Sequence, residues 1–119
     1  MRIIFLDSAE LDESGSEQLM TIFSAKQSKS INSILDFIKA TNNKSRQFRT
    51  PAIESLPEPK PLYKCDESIW LINTLKSHCS IELIPHDNTT YSCENNWDIK
   101  DFLVEFEYTY FRIVWSTTA

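Results

Sequence analysis

The stretch Asp98-Ile99-Lys100-Asp101-Phe102-Leu103-Val104-Glu105-Phe106-Glu107-Tyr108-Thr109-Tyr110-Phe111-Arg112-Ile113-Val114-Trp115-Ser116 carries two periodicities at once. Ile99, Phe102, Leu103 and Phe106 fall at helical spacing. Phe102, Val104, Phe106, Tyr108 and Tyr110 instead alternate with Glu105, Glu107 and Thr109, the pattern of a half-buried strand. From Val104 onward the β-branched and aromatic content favours the strand. The alternation changes phase at Tyr110-Phe111, after which Phe111, Ile113 and Trp115 align, and a bulge accounts for that shift. The stretch therefore predicts one helical turn over 98–102 and one long strand to about Ser116.

Working outward, Ser80 to Ile84 and Thr89 to Cys93 read as two strands around Pro85-His86-Asp87-Asn88, whose turn chemistry predicts a hairpin. Asp66 is placed to cap a helix that carries Ile69, Ile72 and Leu75 on one side, with Trp70 and Leu71 widening the stripe. Ser30 is placed to cap another, in which Ile31, Ile34, Leu35 and Ile38 share a face and Asn42-Asn43 is the stop. Between these helices, residues 44–62 hold Pro51, Pro57, Pro59 and Pro61 and predict an extended, proline-rich loop.

At the N-terminal side, Arg2 to Leu6 reads as a buried strand, and Asp7 to Ser16 as an acidic loop with the sole glycine, Gly15. Ser16 onward suits the start of a helix presenting Leu19, Met20, Ile22 and Phe23, although the run is also apolar enough for a strand. The expected fold is α+β. It has about four mainly antiparallel strands, two to three helices packed on one face and the long loop at 44–62. Its 119 residues fit one domain, 1–119.

Hydrophobic content of 41% and aromatic content of 12% support a buried core without metal or disulfide staples. No apolar run approaches the roughly 18–20 residues that span a bilayer. The opening Met1 to Asp7 lacks the long apolar region of a secretory signal. Cys65, Cys79 and Cys93 are an odd, widely spaced set that suits reduced thiols. Together these predict a cytoplasmic protein without membrane association.

Net charge is −5 and is unevenly distributed. Residues 1–25 hold one basic against five acidic residues, 26–64 eight against three, and 65–119 three against nine. Such a layout produces opposed surface fields that steer charged partners.

Little in the chain supports catalysis. A single glycine excludes the glycine-rich phosphate loops, which need several for close backbone approach. His78, Cys79, His86 and Cys93 lack the spacing of a zinc module or a local nucleophile motif, so neither metal, cofactor nor catalytic residue is expected. Lys44, Arg46 and Arg49 around Phe48 form a nucleic-acid candidate, which the overall negative charge opposes. A small RNase-like toxin using Arg46, Arg49 and His86 or His78 is the enzymatic alternative. A scaffold or phage accessory role for the loop at 44–62 is a third.

The acidic and aromatic residues Tyr91, Glu94, Trp97, Asp98, Asp101, Glu105 and Glu107 gather near the C-terminal end. Tyr and Trp give rigid contact area, and carboxylates mimic the phosphates that a nuclease binds. In general character the chain resembles inhibitors of basic nucleases, among them the immunity proteins and antitoxins of bacterial toxin systems. The resemblance implies a basic protein partner, a toxin domain, docked on an accessible face formed by these seven residues.

Overall fold

A computed structural model describes residues 1–7, 18–45, 60–61, 66–79 and 88–117. In chain order these form β1 (Arg2–Asp7), β2 (Gln18–Lys26), α1 (Ile34–Ser45), β3 (Lys60–Pro61), α2 (Asp66–Cys79), β4 (Asn88–Asn95), β5 (Ile99–Phe106) and β6 (Thr109–Thr117). The strands make one antiparallel sheet in the order β1-β2-β6-β5-β4-β3. Five strands are six to nine residues long, and the edge strand β3 has two. The expected α+β class and antiparallel pairing stand, with more strands than the sequence indicated.

The helices lie on opposite faces of this sheet, which corrects the expectation of one helical layer. On one face α2 places Leu71 and Leu75 against Leu6, Met20, Ile22, Phe102, Val104, Phe106, Phe111 and Ile113. On the other, Phe37 and Ile38 of α1 pack on Phe23, Leu103, Tyr110 and Val114. Successive strand residues point to opposite sides. Burial on both sides therefore explains why Met20 through Phe23 are buried without a break. A continuously buried run hides period-two alternation, so the segment read as a helix start is the strand β2.

The C-terminal stretch also differs from its reading. Residues 99–106 are strand from the outset, and β5 turns into β6 through the two-residue loop Glu107-Tyr108. Phe106 pairs with Thr109 across it. Both loop residues have positive φ, 47° and 59°, as a type I′ hairpin turn requires. The phase change is thus a reversal of the chain, and the bulge lies elsewhere, at the register shift between Ser92 and Glu94 in β4.

In α1 the cap is Ser33. Its Oγ accepts the Asp36 N–H at 3.2 Å, while the Asp36 carboxylate accepts the Asn32 N–H at 3.1 Å. Ser28 Oγ accepts the Ile31 N–H at 3.1 Å, which orders the approach to the helix. Ser30, the expected cap, stays outside, and the buried stripe is Phe37, Ile38 and Thr41, with Leu35 exposed. In α2, Leu71 and Leu75 are buried and Ile69 is exposed, one position of rotation from the expected stripe.

β1 is an edge strand in which Leu6 is buried and Ile3 to Phe5 are half-buried, so its burial is less complete than expected. The ends of the expected 44–62 loop are structured: Lys44 and Ser45 close α1, and Lys60-Pro61 pairs with Tyr91 and Ser92 of β4. Pro61 lacks a donor and is tolerated at a sheet edge. Residues 46–59, with Arg46, Phe48 and Arg49, lie outside the described residues. So do 80–87, which carry the expected first hairpin strand and His86. No helix among the described residues is long and apolar enough to cross a membrane.

Candidate functional site

The seven acidic and aromatic candidates do not share one face. Asp101 is fully buried and accepts two hydrogen bonds from the Arg112 guanidinium, Nε to Oδ1 at 2.8 Å and Nη2 to Oδ2 at 2.6 Å. It therefore leaves the set of accessible charges. Tyr91 and Glu105 turn toward each other on the α1 face. Burial, and then the Glu105 carboxylate that accepts its hydroxyl proton in a hydrogen bond, push the Tyr91 phenol up. Glu107 sits in the β5–β6 turn, at the far end of an eight-residue strand from Asp98. At about 3.4 Å per residue the two ends are roughly 25 Å apart. The single negative field expected from the sequence is not formed.

Three candidates do come together at the β4–β5 hairpin tip, namely Glu94, Trp97 and Asp98. The tip is well held. Asn96 N donates to Ile99 O at 2.8 Å, and Thr117 N of β6 donates to Asp98 O at 2.9 Å. Asn96 Nδ2 donates to Glu94 Oε2 at 3.1 Å, and Lys100 Nζ to Asn95 Oδ1 at 2.9 Å. The Lys100 ammonium lies 5.9 Å from the Phe102 ring centroid. Among the described residues neither Glu94 nor Asp98 has a cation within ion-pair distance.

The three tryptophans divide sharply. Trp115 Nε1 donates to Gln18 Oε1 at 2.9 Å, and Trp70 packs edge-on against Phe102. Trp97 is 73% exposed. A large aromatic surface held in water on a braced turn, with two carboxylates beside it that have no ion-pair partner among the described residues, has the makings of an anchor for another protein.

Tyr108, which the alternation placed within a half-buried strand, is instead 79% exposed at the opposite end of β5. The phase change two residues later was its signal, and a tight turn exposes the residues at its centre. Among the described residues, the thiols of Cys79 and Cys93 form no common centre. Cys79 packs with the α2-side core and Cys93 with the α1-side core, so the sheet separates them. Burial raises the Cys79 thiol above its ordinary value, with Arg2 opposing, and pushes the Cys93 thiol up to about 12. Neither is a poised nucleophile. Among the described residues no three His, Cys, Asp or Glu side chains are grouped to hold a metal.

Fold and tip together define a two-faced antiparallel α+β domain that displays a braced aromatic hairpin. Comparison with known proteins finds no matching family, no matching curated protein and no matching solved structure.

Proposed function

We propose that this chain is a protein-binding inhibitor of the immunity-protein or antitoxin kind, which neutralises a basic bacterial toxin domain in the cytoplasm. The observation that carries the reading is Trp97, 73% exposed between Glu94 and Asp98 on a hairpin tip fixed by four hydrogen bonds. A preformed tip loses little entropy on docking, and a Trp anchor seated in a partner pocket is typically worth about 2 kcal/mol or more. The two carboxylates occupy the place of substrate phosphates in a nuclease cleft. The chain's net charge of −5 speeds the encounter with a basic partner.

The test begins with affinity capture at low salt from the native organism and identification of the basic protein retained. Against that partner, Trp97→Ala should weaken binding by about 30-fold, the equivalent of about 2 kcal/mol. Glu94→Lys with Asp98→Lys should slow association and flatten its salt dependence. Co-expression of the wild-type chain should rescue cells from the partner, and the Trp97→Ala chain should not. Failure to retain a basic protein, or equal binding by all three chains, overturns the reading.

A further inference from the structure

At the end of the sheet away from Trp97, the face that carries α2 holds a cationic cleft. Its volume is about 280 Å³, and Met1, Arg2, Ser24, Ala25, Lys26, Thr109 and Phe111 line it. The register explains the assembly. Arg2 pairs with Ser24, Ser24 with Phe111, and Lys26 with Thr109, so these five side chains lie in adjacent rows, with Ala25 between Ser24 and Lys26. Residues directly opposite each other in an antiparallel pair share a face, as do residues two apart along a strand.

Three features point to an anionic occupant. First, Arg2 and Lys26 are diagonal neighbours, at a spacing of about 7–8 Å, so like charges face each other across one cross-strand step. Second, neither has an ion-pair partner among the described residues, in a chain with 17 carboxylates and a net charge of −5. Third, the hydroxyl-bearing Ser24 and Thr109 sit beside the two cations, and Phe111, 4% exposed, supplies an apolar floor. An oxyanion between the cations relieves their repulsion and finds charged donors on two sides. The cleft exceeds what a bare oxyanion fills, since one water takes about 30 Å³ of liquid, and it falls at the small end of ligand pockets.

We infer that this cleft binds a small organic oxyanion, with its carboxylate or phosphate head between Arg2 and Lys26 and its apolar stem on Phe111. The inference is independent of the Trp97 tip and of the partner proposed for it.

The experiment titrates the full ¹⁵N-labelled chain with phenyl phosphate, benzoate, inorganic phosphate and benzyl alcohol in separate runs. Expected are saturable amide shifts at residues 2, 24–26 and 109–111 with phenyl phosphate or benzoate, the tighter of the two identifying the head group. Inorganic phosphate lacks the stem and benzyl alcohol the charge, so each should bind at least about tenfold more weakly. Lys26→Glu, at an exposed position, should leave the rest of the spectrum in place and weaken oxyanion binding at least about tenfold. Trp97→Ala should leave binding unchanged. Absence of saturable shifts with both aryl oxyanions, or equal binding by Lys26→Glu, overturns the inference.

Discussion

Arg112 and Asp101 hold each other in a bidentate pair that is almost wholly buried, 1% and 0% exposed, on adjacent strands β6 and β5. The same guanidinium fastens the neighbouring helix. Its Nη1 reaches Thr41 Oγ1 and Asn42 Oδ1, both at 2.7 Å, and Ile38 O at 3.3 Å. One side chain thus joins two strands and the second half of α1. Removing a single partner from a buried pair strands a charge and costs about 3–5 kcal/mol, whereas replacing both by apolar groups is often neutral. Asp101→Asn should lower the unfolding free energy from urea denaturation by that order, and Asp101→Leu with Arg112→Met should recover most of the loss. An unchanged midpoint in Asp101→Asn would show that the pair does not hold the helix.

That pair also explains what the sequence could and could not disclose. Asp101 and Arg112 sit at alternating charged positions, and alternation alone assigns such residues to a wet face. Once α1 covers that face, a charge stays there only by pairing with another, and the pairing partner is 11 residues away, beyond any local pattern. The same two-sided burial erased the alternation of β2. Local features were more legible: the aromatic and β-branched run over 104–116, the stripe of α2 within one position, and the exposed, acid-flanked Trp97. The gathering of acids on one surface was not legible, because sequence proximity says nothing about which end or face of an eight-residue strand a side chain reaches.

The left-handed turn supplies a second prediction. Glu107 and Tyr108 adopt φ of 47° and 59°, where a side chain meets its own backbone and costs about 1–2 kcal/mol per residue. Gln27 N donates to Tyr108 O at 2.6 Å and helps to hold the strained geometry. Glycine relieves the clash, and Asn-Gly is the favoured pair for this turn. Glu107→Asn with Tyr108→Gly should raise the unfolding free energy from urea denaturation by about 1–2 kcal/mol, with circular dichroism unchanged. A loss of stability instead would mean that Tyr108 makes a compensating contact.

The start of α1 offers a sharper choice between two serines. Ser33 Oγ accepts the Asp36 N–H, whereas among the described residues Ser30 Oγ has a side-chain hydrogen bond only with Ser28 Oγ, at 3.2 Å. Ser33→Ala should cost about 1 kcal/mol, the usual value of a lost N-cap. Ser30→Ala, at an exposed position, should shift stability by less than about 0.5 kcal/mol. Chemical denaturation of the two variants side by side decides the matter, and equal losses would contradict Ser33 as the cap.

Cys93 makes stability depend on alkaline pH. Burial raises its thiol first, the Asp101 and Glu94 charges add to the effect, and Arg112 opposes it, giving a value of about 12 against an ordinary 9.0. In the unfolded chain the thiol loses its proton near 9, while in the folded chain it keeps it to about 12. Between those values the unfolded state binds fewer protons, so stability must fall as pH rises through that window, and below 9 the thiol contributes no slope. Tyr91 and Tyr110, both raised chiefly by burial, act in the same direction at the alkaline end. Cys93→Ala should therefore reduce the fall in melting temperature as pH rises above about 9, leaving the tyrosine share. The native thiol should also react with a disulfide reagent at pH 8 far more slowly than in urea, because the thiolate is the reacting form. Equal alkaline slopes in wild type and Cys93→Ala would place the thiol in contact with water and remove burial as the cause.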